Sequence, residues 1–346
     1  MDAAGDGKPR FALLGGPMGQ GMLPGLVMAL RFHADGRSVE LPADQPVDLA
    51  TDNGDWLWLH FNLADKRACQ WIANSASVPA VARALLVALH DHQQLYTTGD
   101  CVYGVFSDLV RALDRSLDET GYLNFAMTER LVVTGRRQSL QSVEAVRAAL
   151  VAGRKLAGAA ALIEAIVERA TAGIDGLMDD LGKDLDRIED LVLIDSVPDE
   201  RRRVGRVRRT VVRLHRQVAS LRALLDRFEA SDEEAKTASL EIATDRLVQR
   251  LDALDQEVIA VQERARLLQE EISARLSEES ARNLNALSVL TAVFLPATLV
   301  TGIFGMNTTD LPFAHGTHGS LWAVGVGALA AGLTYWVLRW MGVIRR

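Results

Sequence analysis

Cysteine is scarce in this chain of 346 residues, which contains only Cys69 and Cys101. Two cysteines are too few for a cysteine-rich zinc module. Two free thiols also fit a reducing compartment better than an oxidising one. We therefore interpret both residues as small buried side chains that carry no chemistry of their own.

Charge is absent from two long segments near the C-terminus. The whole chain has 24% charged residues and a net charge of -7, as an ordinary soluble protein would. Residues 284–304 and 321–336 nevertheless contain no charged side chain. Each segment is about long enough to cross a hydrocarbon core of roughly 30 Å as a helix. The sequence thus predicts an integral membrane protein with spans at 283–304 and 321–340.

Lysine and arginine are missing between these spans, in residues 305–320, but they flank the pair on the other side. The positive-inside rule therefore predicts that both termini are cytoplasmic, with 341–346 as a basic cytoplasmic tail. The N-terminus offers no secretory signal, because acidic residues precede a short apolar run that Gly and Pro interrupt. The expected location is the cell inner membrane, crossed more than once. The flanking arginines are Arg275, Arg282, Arg339, Arg345 and Arg346.

A nucleotide-binding loop is also lacking. The glycine-rich stretch at 15–21 has no Lys-Ser or Lys-Thr pair, and no strand and helix frame it as in a dinucleotide turn. We accordingly predict no enzyme, no resident cofactor and no nucleic-acid partner.

Residues 1–155 carry mixed strand and helix signals, which indicate a cytoplasmic α/β domain. Runs of apolar, β-branched and aromatic residues predict strands, whereas longer apolar periodicity predicts helices. The order of the strands does not follow from the pattern. The predicted strands are 56–63, 101–106 and 123–127, and the predicted helices are 77–90 and 142–152.

The sequence of residues 156–282 predicts helices throughout. A first helix from about 157 to 194 and a second to about 230 are separated by Ser196-Val197-Pro198-Asp199, which predicts an antiparallel hairpin. A third helix is expected to start near Ser231, after which no Gly or Pro occurs until Pro296.

Apolar residues recur in the third helix at heptad positions, which predicts packing against the hairpin or against copies of itself. Without a break, this helix would run from about residue 235 to Phe304, on the order of 100 Å. The alternative is a coiled coil followed by an unrelated membrane anchor. The heptad residues are Leu247, Leu251, Leu254, Val258, Val261, Ala265, Leu268 and Ile272.

Hydroxyl and glycine residues form a stripe along the first span at intervals of three and four. Such a stripe is expected to face an axis rather than lipid. The alternative is that these small residues only ease close packing of helices. The stripe contains Ser288, Thr291, Leu295, Thr298, Gly302 and Gly305.

A short motif, Gly305-Met306-Asn307, directly follows the first of the two C-terminal spans. It is similar to the motif that defines the CorA metal ion transporter superfamily, and residues 294–304 resemble the pore helix of that superfamily. Residues 58–62, followed by Gln70-Trp71, are similar to the N-terminal domain of its zinc-transporting ZntB branch. The resemblance implies a funnel-shaped homopentamer in the lipid bilayer, with five first spans lining a pore for divalent metal ions.

The resemblance also suggests roles inside that pore. Asn307 carbonyls would form a ring at the outer mouth and meet a cation that keeps its water shell. Thr298 is expected to form an inner polar ring and Gly302 a wide point. Further pore-lining positions are Thr291 and Met306, with apolar constrictions at Leu295 and at Leu284 or Leu287.

The outer loop departs from the magnesium-transporting members, which follow the motif with Met-Pro-Glu-Leu. Here Thr308-Thr309-Asp310-Leu311-Pro312 stands instead, so Asp310 replaces the glutamate only in part. His315 and His318 lie in the same loop, and imidazole suits zinc better than magnesium. We expect zinc, with cobalt, nickel or cadmium as further ions and simple solvation of the two histidines as the alternative.

Two further groups could act in the cytoplasm. His60, His90 and His92 are candidates for a zinc site, although we favour the alternative that they are surface residues near a helix end. The hairpin's first arm, at 175–190, is rich in carboxylates, and its second arm, at 201–216, is rich in arginine. We predict that the two arms neutralise each other, with a cation-attracting belt as the alternative.

Three functions stay open from the sequence. The first is zinc uptake, for which proton coupling finds no carrier because neither span contains Asp, Glu or His. The second is a magnesium or cobalt channel of the CorA kind. The third is a membrane-anchored metal sensor or scaffold that transports nothing.

Overall fold

The computed structural model describes residues 22–43, 45–47, 54–90, 92–110, 120–193, 198–230, 244–306 and 319–341. The chain divides into two compact units, Met1–Leu267 and Leu268–Arg346. The first unit contains a β-sheet with its covering helices and a long helical hairpin. The second contains the two C-terminal apolar segments.

A seven-stranded mixed sheet organises the first unit, with the strand order β2-β1-β3-β7-β6-β5-β4. All neighbouring strands are antiparallel except β3 and β7, which run parallel. The strands predicted at 56–63, 101–106 and 123–127 are confirmed as β3, β5 and β6. The strands are β1 (Leu26–Phe32), β2 (Ser38–Leu41), β3 (Trp56–Asn62), β4 (Gln94–Thr98), β5 (Cys101–Leu109), β6 (Thr120–Met127) and β7 (Leu131–Arg136).

The centre of the sheet is covered on both faces. Six of the seven residues of β3 are buried, as expected for a strand in a parallel pair with helices on either side. One face packs on α1 (Lys66–Asn74) and α2 (Ala80–Val87), where Phe61 and Ile72 belong to the same core. The predicted helix at 142–152 is confirmed as α3 (Gln141–Val151), and α2 is shorter than its predicted range of 77–90.

The predicted hairpin is also present. Its arms are α4 (Ala159–Leu193) and α5 (Pro198–Glu229), and the third helix, α6, extends over Thr244–Phe304. The start predicted for α6 near Ser231 lies outside the described residues. Since α6 is one helix of 61 residues with Pro296 inside it, the predicted continuity into the first span is confirmed.

The heptad positions of α6 face the interior, as predicted. All are buried except Val261, which is half-buried. Ion pairs show that the hairpin of the same chain packs against α6 within the first unit. Asp175 pairs with Arg250 and Glu189 pairs with Arg264, which makes α4 parallel to α6. Between the two alternatives for the heptads, the structure therefore shows packing against the hairpin.

The second unit contains the end of α6 and the helix α7 (Gly319–Trp340). Both are long and apolar enough to span a membrane, with mean hydropathies of 2.0 and 1.7 over their most apolar windows. Almost none of this apolar surface is buried within the chain, at 0% and 6% of the two windows. Surface of this composition is stable in lipid or against other apolar helices, and it is costly in water.

Candidate functional site

The apolar part of α6 has two distinct faces. Val293, Pro296 and Val300 are half-buried, whereas Leu295 and Thr298 are exposed. Because successive residues are about 100° apart in an α-helix, these two sets lie on opposite sides of α6. The helix therefore has one face that is partly covered and one that the chain itself leaves open.

The half-buried face of α6 packs against α7. Gly327, the buried glycine of α7, lies so near that a Cβ placed on it would be 4.0 Å from the carbonyl oxygen of Ala297. Small residues at helix contacts permit such close approach in membranes. The predicted stripe of hydroxyls and glycine is thus turned away from the chain's own second span.

The open face forms a shallow groove along α6. Four predicted pore residues line it together, and Met306 lies at its end. Leu284 and Leu287, the predicted inner constrictions, are also exposed, one to two turns before it. The predictions missed Leu290, Phe294, Leu299 and Ile303. Phe294 could have been indicated by its helical spacing, because it lies three residues after Thr291 and four before Thr298. The groove is lined by Leu290, Thr291, Phe294, Leu295, Thr298, Leu299, Gly302, Ile303 and Met306.

The threonine hydroxyls in this region donate to the helix backbone. Thr298 Oγ1 donates to the carbonyl of Phe294 over 2.9 Å, and Thr291 Oγ1 donates to Leu287 over 2.8 Å. A hydroxyl has one proton to donate and two lone pairs to accept with. With the proton used inside the helix, each oxygen can offer only lone pairs to its surroundings. Such an oxygen suits a cation and its water shell.

Gly302 and Gly305 have different local roles. A Cβ at Gly302 would meet nothing within 4 Å in this chain, so the position is open. A Cβ at Gly305 would lie 3.2 Å from the carbonyl oxygen of Thr301, to which the Gly305 amide donates over 2.9 Å. The absence of a side chain at Gly305 therefore permits a tight end to α6.

The remaining predicted ligands lie outside the described residues. They are Asn307, Asp310, His315 and His318, together with Thr308. The described part of the motif is Gly305-Met306, at the end of α6.

His60 is not a metal ligand. It is completely buried, and burial followed by the charge of Arg136 lowers its pKa to about 3. Arg136 Nε donates to His60 Nε2 over 3.1 Å, so the ring proton is on Nδ1, which lies 2.8 Å from Thr134 Oγ1. The same oxygen accepts from Trp58 Nε1 over 2.8 Å. Since both ring nitrogens have partners, the candidate zinc site at His60 is wrong. The prediction of His60 as a surface residue is wrong as well, because its side chain is completely buried.

The other two candidate histidines lie apart from that network. His90 Nε2 donates to the carbonyl oxygen of Leu85 over 2.8 Å, and His92 contacts the side-chain amide of Gln94. Across the described ranges, no three His, Cys, Asp or Glu residues come together in a way that could hold a metal ion.

The charged residues of the hairpin do not pair as predicted. The carboxylates of α4 that reach another helix bind arginines of α6: Arg264 contacts both Asp186 and Glu189 over 2.6 Å. On α5, Arg222 reaches Asp252 of α6 over 2.7 Å. The prediction that the two arms neutralise each other is therefore wrong for these pairs, because α6 lies beside both arms and supplies the partners.

The class of this protein follows from the family to which its sequence belongs. The sequence profile of the family described as CorA-like Mg2+ transporter protein matches residues 53–340. The chain belongs to this family. It is thus a divalent metal-ion transporter of the membrane and not an enzyme.

Curated relatives bear a more specific name. The chain is 24% identical over 293 residues to the zinc transport protein ZntB of Cronobacter sakazakii, covering 84% of this chain and 89% of that protein. It is 24% identical over 283 residues to ZntB of Yersinia pestis, covering 82% and 86%.

Solved structures share the fold. The full-length CmaX protein matches with a TM-score of 0.74 at 24% identity, covering 91% of this chain and 97% of CmaX. The CorA magnesium transporter from Methanocaldococcus jannaschii matches with 0.67 at 14% identity, covering 92% and 99%. The ZntB cytoplasmic domain from Vibrio parahaemolyticus matches with 0.61 at 12% identity, covering 73% and 98%. These matches confirm the predicted soluble α/β domain, long helices and two C-terminal apolar helices.

Proposed function

We propose that this chain forms a homopentameric pore in the inner membrane and takes up divalent cations, with zinc as its main ion. The observation that carries the proposal is the open face of α6, which contains Thr291, Thr298 and Gly302 opposite the side packed on α7. In a membrane, threonine hydroxyls on a helix face that avoids its own neighbouring span are best accommodated around an axis shared with other copies.

Ion passage in this proposal relies on neutral oxygens. Five Thr298 side chains, each with its proton donated to Phe294, would surround the axis with lone pairs. A small divalent cation loses its water at high cost, so these oxygens would contact its hydration shell rather than the bare ion. Leu295, Leu287 and Leu284 would form apolar constrictions, and Gly302 would leave room between rings.

The outer loop would select and collect the ion. Asn307 side-chain carbonyls would form the entry ring after Gly305 and Met306. Asp310 would attract cations, while His315 and His318 would favour zinc, since imidazole is a good zinc ligand.

We propose zinc rather than magnesium as the main transported ion on two grounds. The curated relatives that cover 84% of the chain are named zinc transport proteins. The loop also has Thr308-Thr309-Asp310 where magnesium-transporting members have Met-Pro-Glu. The second candidate is a magnesium or cobalt channel, which the family description and the likeness to the CorA magnesium transporter favour.

The membrane potential suffices to drive uptake. An inside-negative potential of 100 mV favours entry of a divalent ion by roughly 4.6 kcal/mol, about three decades of concentration. Proton coupling would have to use the outer loop, because the spans contain no Asp, Glu or His. Both termini would be cytoplasmic, with 1–155 and 156–282 as cytoplasmic domains, 305–320 as the outer loop and 341–346 as the tail.

Uptake into proteoliposomes tests the proposal. The full chain should transport zinc faster than magnesium down an inside-negative potential, and a pH gradient would reveal any proton coupling. Flux that magnesium competes for and hexaamminecobalt blocks would favour the magnesium channel. Ion binding without flux of any ion would reject transport in favour of a sensor or scaffold.

A further inference from the structure

Arginines on α5 form a row that nothing in the described structure neutralises. Arg202, Arg206, Arg209 and Arg216 are exposed, and none forms an ion pair with a carboxylate in the described part of the chain. They lie at spacings of four, three and seven residues, which places them on one side of α5 over about 21 Å. We call these four residues the arginine row.

The arginine row points away from the chain's own interior. Arg222, which binds Asp252 of α6, lies roughly 140° around α5 from Arg209. Val211 and Val218, on the buried side of α5, are roughly as far around the helix from the row. The row is therefore presented outward, where a partner of opposite charge could bind it.

A complementary row of carboxylates lies on α4. Asp175, Asp179, Asp186 and Asp190 share one side of α4 over about 22 Å, nearly the length of the arginine row. Asp175 and Asp186 bind Arg250 and Arg264 of α6. Asp179 and Asp190 have no cation among the described residues. We call these four aspartates the carboxylate row.

The carboxylate row has an excess of negative charge at its centre. Arg250, Glu257 and Arg264 follow one another at seven-residue intervals on the α4-facing side of α6. The two arginines neutralise α4, but the position between them is a glutamate. Burial, followed by the negative charges of Asp175 and Asp179, raises the pKa of Glu257, so these carboxylates lie close enough to repel one another.

We propose that the arginine row of one copy of this chain binds the carboxylate row of a second copy. The two rows match in length and are opposite in charge, and the described residues neutralise neither of them completely. Since they lie on different helices, the contact is heterologous, and a heterologous contact repeated around an axis closes into a ring. This inference rests on the proposed homopentamer and names a contact that would set the neighbour and its direction.

The free energy of exposed ion pairs indicates how much such a contact stabilises the assembly. A single exposed ion pair stabilises a contact by about 0–1 kcal/mol. The two rows would therefore act through several pairs together and by orienting two copies as they approach each other. Their contribution should fall with added salt, because exposed charges are screened over about 8 Å at physiological ionic strength.

Disulfide cross-linking in the full-length chain tests the contact. In a background with Cys69→Ala and Cys101→Ala, a chain carrying both Arg209→Cys and Asp179→Cys should form covalent oligomers upon oxidation in the membrane. Either cysteine alone should leave the chain monomeric on a denaturing gel. Efficient linking of a single-cysteine variant would indicate an isologous contact and overturn the inference.

Native mass spectrometry separates this inference from the proposed function. If the double-cysteine chain forms native pentamers but yields no covalent oligomers upon oxidation, the contact is overturned and the pore proposal stands. Monomers under all conditions would overturn both.

Charge reversal provides a second measurement. The double substitution Arg206→Glu with Arg209→Glu removes two ion pairs per contact. The protein concentration below which the assembly dissociates should therefore increase about tenfold. Adding Asp179→Arg and Asp190→Arg to the same chain should restore assembly. Arg187→Glu, at an arginine that pairs with Asp184 of its own helix, serves as the control. If the arginine row instead binds lipid phosphates, the arginine substitutions should weaken binding to phosphatidylglycerol vesicles, and the aspartate substitutions should not restore assembly. That result would overturn the inference.

Discussion

Arg136 on β7 donates a hydrogen bond from its Nε to Nε2 of His60 on β3 over 3.1 Å. The parallel register of these strands sets His60 opposite Thr134, whose hydroxyl accepts from the histidine's other nitrogen. The pair holds a neutral imidazole in the centre of the sheet. A histidine that sequence alone suggested as a zinc ligand is therefore part of the core.

The stability of the sheet should depend on the protonation of His60. Its pKa is about 3 in the folded chain and close to 6.5 when exposed. Below pH 6.5 the unfolded chain binds an extra proton, so stability is full above this value and falls as the pH decreases toward 3. Between pH 6.5 and 5 the loss should be about 2 kcal/mol. Urea unfolding followed by tryptophan fluorescence measures it.

His60→Gln supplies the comparison for that measurement. The variant should be less stable at pH 7, because the buried network loses hydrogen bonds. The difference between the two proteins should shrink as the pH falls from 6.5 to 5. Parallel curves for both would show that His60 is already protonated or exposed in the folded chain.

Thr298→Val should reduce cation flux while the protein still folds. Valine has nearly the shape of threonine but replaces an oxygen that the structure leaves exposed on α6. In the proposed pore the cation's water shell would lose five acceptors, and we expect a decrease in zinc uptake of about tenfold or more. Thr334→Val on α7 removes a hydroxyl with the same backbone contact, to Ala330, and should leave uptake unchanged. Equal effects of both substitutions would count against Thr298 as a pore residue.

Gly302→Val should block the pore without disturbing the fold of a single chain. Beyond the backbone of α6 itself, no atom of the described residues lies within 4 Å of a Cβ at this position, so there is space for the new side chain. Five valines around a shared axis would instead fill the space that the ion needs. Gly325 on α7 is equally open, and Gly325→Val is the matched control for uptake in proteoliposomes. Normal flux through the Gly302 variant would place this face of α6 away from the ion path.

Neutralising the outer loop should remove any dependence of uptake on pH. Asp310→Asn combined with His315→Ala and His318→Ala eliminates the titratable side chains that we assign to ion entry, and the spans contain no Asp, Glu or His. Zinc uptake measured from pH 5.5 to 8 should then be flat. If the dependence persists in the triple variant, the titrating group lies elsewhere. Unchanged zinc affinity after the two histidine substitutions alone would refute their binding role.

Local patterns predicted much of this protein. The lengths of the two apolar segments, the heptads of α6 and the strands at β3, β5 and β6 follow from the identity of residues that are near in sequence. The same local information indicated the stripe at Thr291, Leu295, Thr298 and Gly302, because a helix fixes which residues share a face. Strands β1, β2, β4 and β7 were missed. For β2 and β4 the reason is that runs of four and five residues carry little periodicity.

Tertiary structure decided what depends on partners distant in sequence. The sequence could not determine whether the carboxylates of α4 pair with α5 or with α6, because both helices offer arginines and only their packing places Arg264 beside Glu189. Likewise, the burial of His60 follows from the parallel pairing of β3 with β7. The face of α6 that contains Thr291 and Thr298 could be recognised as open only once α7 was seen on the opposite side. The sequence thus determined the two apolar segments and the family motif, whereas the fold decided which charges are paired and which helix faces stay open among the described residues.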